Sequence, residues 1–301
     1  MNLFVPIFIM PKSHLLRLHF IVFLWGFTAL FGKLITVDAH VLVFYRMLFT
    51  AFILFVFIRF WKKTSLVVSR KVLFQLATLG AFMGFHWLFF FTSIKVSNVS
   101  IALSCLSLST LFASFLEPII FKRTLDWREV LIGIVIVLCI GLIFKTELQY
   151  KEGIIYGILC AFCGTVFSVC NGIMVEKTSS DRVIFYEIFI GFLVISLYYL
   201  VSGQLGNLGS VGLKDTGLVF LLAGVFTAYP MQESVNLMKY ISPFTLILTV
   251  NLEPVYGIIL AHFLFGESEH MSSAFYFATA IMIGLIVLNG IMKARRTARL
   301  K

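Results

Sequence analysis

Charge is scarce in this chain. Lys, Arg, Asp and Glu together make 13% of its 301 residues, and only 14 residues are acidic. Soluble domains carry about a quarter charged residues, so this composition excludes both a soluble globular enzyme and a disordered chain. Proline is rare, with six residues, and the five cysteines are scattered without metal-ligand spacing. The pair Cys160-x-x-Cys163 lies inside an apolar run, where neither metal nor disulfide chemistry is expected. A glycine-rich phosphate loop, a paired-histidine metal motif and a hydrolase elbow are all missing, and no soluble segment is long enough to couple ATP. The expectation is a protein with no catalytic group, no metal and no cofactor. The formal net charge of +10 does not point to nucleic acid, because the basic residues sit in short gaps between apolar runs and do not cluster on one soluble face.

Apolar length is what the chain has in abundance: 60% hydrophobic residues, 34 phenylalanines and a mean hydropathy of +1.02. A helix needs roughly 20 apolar residues to cross the hydrocarbon core. Ten stretches meet that requirement: 15–35, 41–60, 72–93, 99–121, 127–144, 154–175, 183–201, 217–238, 244–265 and 274–292. They are continuously apolar where barrel strands would alternate, which leaves helices as the spanning solution. Residues 1–10 lack a basic stretch and a small-residue cleavage site, so the first span is expected to act as its own signal. The fold class expected is an all-α polytopic membrane protein of ten transmembrane helices, in the cell (inner or plasma) membrane.

Basic residues stay on the cytoplasmic side of short loops. With the amino terminus inside, eighteen Lys and Arg fall in inner segments, among them Lys62, Lys63, Arg123 and Lys177, and five fall outside: Lys33, Lys95, Lys145, Lys151 and Lys214. Both termini are therefore expected to be cytoplasmic. The halves also resemble each other. A shift of 144 lays Gly80, Phe82, Lys95 and Thr110 on Gly224, Phe226, Lys239 and Pro254, and shifts of 141 and 138 lay Phe44-Tyr45 on Phe185-Tyr186 and Gly26 on Gly164. Two five-helix repeats, 1–146 and 147–301, follow, and because five is odd the second copy is inverted. That architecture belongs chiefly to transporters and channels, with the site near the midplane between repeats.

Leu24-Trp25-Gly26, Phe44-Tyr45-Arg46, Leu252-Glu253-Pro254, Phe265-Gly266-Glu267 and Gly284-Leu285-Ile286-Val287-Leu288 occur in an order and spacing that resembles the drug/metabolite transporter superfamily, in its ten-helix EamA branch. Ser109-Thr110 stands where that branch usually has a second proline, and Arg123 where it has a glutamate. The resemblance implies a carrier that exports small metabolites, amino acids or drugs.

Charge within a span costs about 2.5–3.5 kcal/mol on insertion scales, so intramembrane polar residues mark the chemistry. Glu253 is the leading candidate, the tenth residue of its span and without a basic neighbour one turn away. It is expected to bind a proton or a cargo amine. Pro254 lacks an N–H and frees the Val250 carbonyl, and Thr249 and Asn251 add polar groups beside the break. Ser107, with Ser100, Ser104 and Ser114, marks a polar face on the fourth span, whose alternative reading is helix packing. In the eighth span Pro230 marks a second broken helix; Glu233 either lines an inner vestibule or pairs with Lys239. His86 is either a proton or substrate ligand or a hydrogen-bonded packing residue. Arg46 is expected to support folding or gating by holding a carbonyl or carboxylate rather than by touching cargo. Glu117 is read as an interfacial ion pair with Lys122 or Arg123, and Glu187 as one with Arg182. Gly80-x-x-x-Gly84, Gly153 and Gly157 fit close helix approach.

One intramembrane Arg against Glu117, Glu187, Glu233 and Glu253 disfavours anionic cargo. The function expected is a gradient-driven exporter of small zwitterionic or cationic amphipathic metabolites, amino acids among them, working by alternating access, with proton coupling as one drive. The alternatives are a lipid-carrier flippase and a nucleotide-sugar carrier, followed by an intramembrane enzyme or a receptor. The partners expected are a small-molecule substrate and the lipid bilayer, with monomer and homodimer both open.

Overall fold

The computed structural model describes residues 12–241, 243–250 and 252–299. Asn251, one of the expected site residues, lies outside them. All regular structure among the described residues is helical: α1 (Lys12–Leu34), α2 (Ala39–Val56), α3 (Arg70–Val96), α4 (Val99–Leu106), α5 (Ser109–Phe121), α6 (Trp127–Thr146), α7 (Lys151–Lys177), α8 (Ser180–Ser202), α9 (Leu213–Ala223), α10 (Tyr229–Leu237), α11 (Pro243–Val250), α12 (Glu253–Phe265) and α13 (Ser273–Arg299). Seven segments are long and apolar enough to cross a membrane: Leu16–Leu34, Ala39–Trp61, Arg70–Val96, Val99–Phe121, Leu148–Lys177, Ser180–Ser202 and Leu213–Leu237. Of the three other expected spans, two coincide with the shorter apolar helices Val130–Thr146 and Ser273–Leu285, and 244–265 is divided between α11 and α12. Large apolar side chains such as Trp61, Phe74, Leu213 and Phe263 stand exposed on the outside of the bundle, as a hydrocarbon surround requires.

Helix ends follow the local chemistry. Ser69 and Asn98 cap α3 and α4 by accepting from the Val72 and Ile101 amides, and Asp126 accepts from Arg128 at the start of α6. Such caps satisfy amides that a helix start leaves unpaired. Close approach depends on glycine. A Cβ on Gly80 would sit 2.8 Å from the Glu187 carbonyl oxygen in α8, and one on Gly157 would sit 2.6 Å from the Cys105 Cβ in α4. The most extensive packing accordingly joins α3 to α7 and α8.

Polar ties gather at the two ends of the bundle. At one end Glu269 is buried and accepts from the Val99 amide (3.1 Å), the Ser100 amide (3.0 Å) and the Ser100 hydroxyl (2.8 Å), while Lys33 pairs with it at 2.7 Å. A carboxylate there neutralises the positive end of α4. Asp215 accepts from the amide and hydroxyl of Thr36 beside it. At the other end Lys62 pairs with Asp181 (2.7 Å), Arg17 with Glu233 (3.3 Å) and Arg123 with Glu117 (3.1 Å).

Candidate functional site

Two local breaks shape the middle of the bundle. Residues 107–108 separate α4 from α5, and α11 ends at Val250 where α12 starts at Glu253. The Leu108 amide turns back to the Cys105 carbonyl and the Leu252 amide to the Thr249 carbonyl, i to i−3 bonds that tighten the chain where the α-ladder stops. Pro254 is at the start of α12, where its missing N–H costs nothing. A third irregularity precedes α10. Pro230 has no N–H to donate, and the ladder widens into a π-turn over Gly224–Ala228. That turn carries Thr227 inward, where its hydroxyl accepts from Arg46 Nε at 2.9 Å and donates to the Leu222 carbonyl.

These irregularities surround a cavity of about 110 Å³, far above the roughly 10–15 Å³ that one water needs. It runs from mid-length of α1 and α7, at Trp25 and Gly164, toward the end that carries loops 61–69 and 122–126, at Asn171, Ser234 and Met238. Trp25, Trp87, Phe90 and Phe167 make its aromatic wall; Arg46, Glu253, His86, Ser109 and Asn171 supply its polar groups. Glu253 is buried yet has no hydrogen-bond or ion-pair partner among the described residues, so its carboxylate faces the open space. Arg46 interacts with it electrostatically across the cavity. The guanidinium lies over the Trp87 ring at 3.9 Å and near Phe91 at 5.2 Å. Among the described residues only its Nε is hydrogen-bonded, so the two terminal nitrogens of this cavity-lining side chain are available to a ligand. A guanidinium fork of that kind matches a carboxylate.

The structure sorts the other expected residues. His86 lines the cavity, with Nδ1 2.9 Å from the Cys160 carbonyl oxygen and its ring packed on Phe90 and Phe167. Pro254 and Pro230 shape the backbone as described. Thr249 and Ser107 are buried but do not line the cavity. Nor do the neighbouring serines: Ser100 bonds Glu269 and Ser104 lies 3.3 Å from the Thr279 hydroxyl of α13, so this polar face serves packing. Glu233 neither lines the cavity nor meets Lys239; the fold brings Arg17 of α1 to it. Arg46 holds a hydroxyl and an aromatic face instead of the expected carbonyl or carboxylate. The expected Glu187–Arg182 pair does not form. Arg182 donates to the Ser65 carbonyl, and fully buried Glu187 accepts from Asn171 Nδ2 at 3.1 Å. Glu117 does pair with Arg123.

Sequence reasoning missed Asn171 and Thr227 as partners of the two buried charges. Asn171 carried a signal, an isolated amide in an apolar run; Thr227 carried none, because only the π-turn aims it inward.

A bundle of helices long and apolar enough to cross a membrane, enclosing a charged, aromatic cavity, is the frame of a multi-pass membrane transporter. The chain matches the EamA-like transporter family over residues 15–145 and 151–290, and it belongs to that family. It is 22% identical over 235 residues to the S-adenosylmethionine uptake transporter of Rickettsia prowazekii (strain Madrid E), an alignment covering 76% of each chain. A protein solved by crystallography has the same fold, with a TM-score of 0.67 at 16% identity, covering 95% of this chain and 100% of the other.

Proposed function

We propose that the protein carries small zwitterions with an organic body, amino acids and amino-acid derivatives such as S-adenosylmethionine, across the cell membrane by alternating access. The observation that carries this reading is one cavity holding a buried carboxylate with no hydrogen-bond or salt-bridge partner, and a guanidinium hydrogen-bonded only through Nε, among the described residues. Arg46 holds the cargo carboxylate and Glu253 its cationic group, while Trp25, Trp87 and Phe90 cover the apolar part and attract cations through their ring faces. The sulfonium and amino-acid ends of S-adenosylmethionine fit that charge pattern, and the name of the Rickettsia relative supports the same class. Net direction follows the gradients, so export and uptake are two modes of one carrier.

The frame for this cycle is ten spans in two inverted repeats, 1–146 and 147–301, with both termini cytoplasmic. Its support is the internal match at an offset of 144, which also relates α4 to α11 and α5 to α12 end for end, together with the bias of basic residues. The cavity then faces the cytoplasm. An impermeant thiol reagent on intact cells should label Lys214→Cys and spare Lys62→Cys; the opposite pattern reverses the orientation.

The cargo reading is tested by counterflow in proteoliposomes loaded with S-adenosylmethionine, against a panel of competitors. Amino acids should compete, and the same compounds as methyl esters or without their amino group should not. Competition indifferent to the loss of either charge overturns the assignment.

A further inference from the structure

A second ionisable group lies behind the cavity wall. Glu187 of α8 is fully buried, and Asn171, which lines the cavity, donates to its Oε2. Among the described residues its other oxygen, Oε1, has no partner, and neither has Asn171 Oδ1; both are buried. Two orphaned acceptors on one bonded pair is a costly arrangement, because a buried polar atom without a partner has given up its bonds to water and gained none in return. What the pair lacks is a donor. A proton on Oε1 supplies one, since a neutral carboxyl donates while the amide donates back, and a carboxyl and a primary amide then satisfy each other.

No fixed charge competes for the site. Of the helices packed against α8, α3 presents Gly80 to the Glu187 backbone, and α2 presents Met47 one turn further on, at Gly191. From α7 come Asn171 and the thiol of Cys170, the titratable neighbour. Among the described residues no charged side chain, from α10 or elsewhere, acts on Glu187. This differs from Glu253, which interacts with Arg46.

We infer that Glu187 and Asn171 form a proton-binding site distinct from the cargo site, in which Glu187 takes up a coupling proton and Asn171 reports its state to the cavity. The inference rests on the cargo reading above, because it leaves Glu253 free to hold the cargo cation. Loss of the proton leaves a buried carboxylate bonded to one amide N–H. Asn171 must then turn both of its donors toward Glu187 or let water in from the cavity, and either change alters the wall against which cargo packs.

The test separates two assays in proteoliposomes, counterflow without a pH difference and accumulation under an imposed one. The unmutated protein should accumulate cargo when the pH difference is imposed. Glu187→Gln supplies a permanent donor to Asn171 and should keep counterflow at the unmutated rate while accumulation falls to the level seen without the gradient. Glu253→Gln should lose counterflow and accumulation together. Accumulation by Glu187→Gln equal to that of the unmutated protein overturns the proposal, as does an unmutated protein indifferent to the pH difference. Should Glu187→Gln fail to fold, Glu187→Asp decides: it keeps the ionisable group on a shorter arm and must shift the pH midpoint of accumulation, and an unshifted midpoint overturns the assignment. Full counterflow in Glu253→Gln defeats the cargo reading alone.

Discussion

Helix α4 stops at Leu106 and α5 resumes at Ser109; 144 residues later α11 stops at Val250 and α12 resumes at Glu253. The backbone bonds correspond as well, Leu108 to Cys105 and Phe112 to Leu108 in one, Leu252 to Thr249 and Tyr256 to Leu252 in the other. Even the following stop agrees, with positive φ at Lys122 after α5 and at Gly266 after α12. The chemistry does not agree. Ser109 faces the cavity from the first break and Glu253 from the second, and proline follows only the second. Two lessons follow. A proline is not what makes this break, since Ser109-Thr110 supports the same one. A carboxylate, in turn, is placed at only one of the two breaks, so among the described residues the cavity has a single carboxylate pole, set against Arg46.

The largest expected effect breaks that asymmetry. Removing the charge by Glu253→Gln should weaken cargo binding about 10- to 100-fold, as loss of charge-assisted hydrogen bonds worth about 1.5–3 kcal/mol implies, whereas Ser109→Ala at the matching place should cost about fivefold or less. Binding isotherms on purified protein measure both, and equal losses would make the two breaks chemically equivalent. Next is the opposite pole. Arg46→Lys keeps the charge but not the planar stack on Trp87 or the fork, and a loss of about tenfold in transport is expected. Transport unchanged in Arg46→Leu would remove Arg46 from the site.

A smaller effect concerns the packing that holds the second break in place. A Cβ on Gly26 of α1 would come 2.8 Å from the Tyr256 Cβ in α12, with backbone close behind. Gly26→Ala should lower stability by about 1–3 kcal/mol, the usual cost of overpacking, read as a reduced unfolding temperature in detergent. An unchanged temperature would show that α12 can move away from α1 freely. The smallest effect is expected from Pro254→Ala. If the break is a property of the frame, as α4 and α5 indicate, transport should change by less than about threefold even though an N–H is restored. A loss as large as that of Glu253→Gln would mean that the two breaks have different causes.

Much of this is legible in the chain itself. Glu253 declares itself through depth and isolation, Arg46 as the Lys or Arg set well inside a span and away from its ends, and Pro230 and Pro254 as places where a helical ladder must adjust. The expectations that fail share one cause. Nearness in sequence suggests Lys239 for Glu233 and Arg182 for Glu187, yet the fold joins Glu233 to Arg17, 216 positions away, and Glu187 to Asn171 on another helix. Ser107 and Thr249 stand out by polarity but are buried away from the cavity lining, since small hydroxylated residues suit packing as readily as binding.

The sequence by itself determined the class of the molecule. Apolar runs of membrane length admit only helices, because a backbone in hydrocarbon must satisfy its own hydrogen bonds, and charge at that depth is too costly to be accidental. It also marked two places where a helical ladder must adjust, at Pro230 and Pro254, while the break between α4 and α5, which has no proline, showed itself only in the fold. Only the tertiary structure decided which face of each helix meets the cavity and which partner each buried polar group finds. A helical run that is apolar all round carries no periodic signal to show its inner side, and that choice is settled by packing between helices far apart in the chain. The cavity is therefore a product of assembly: Trp25, Arg46, Trp87, Asn171 and Glu253 come from five different helices, and no local pattern could have joined them.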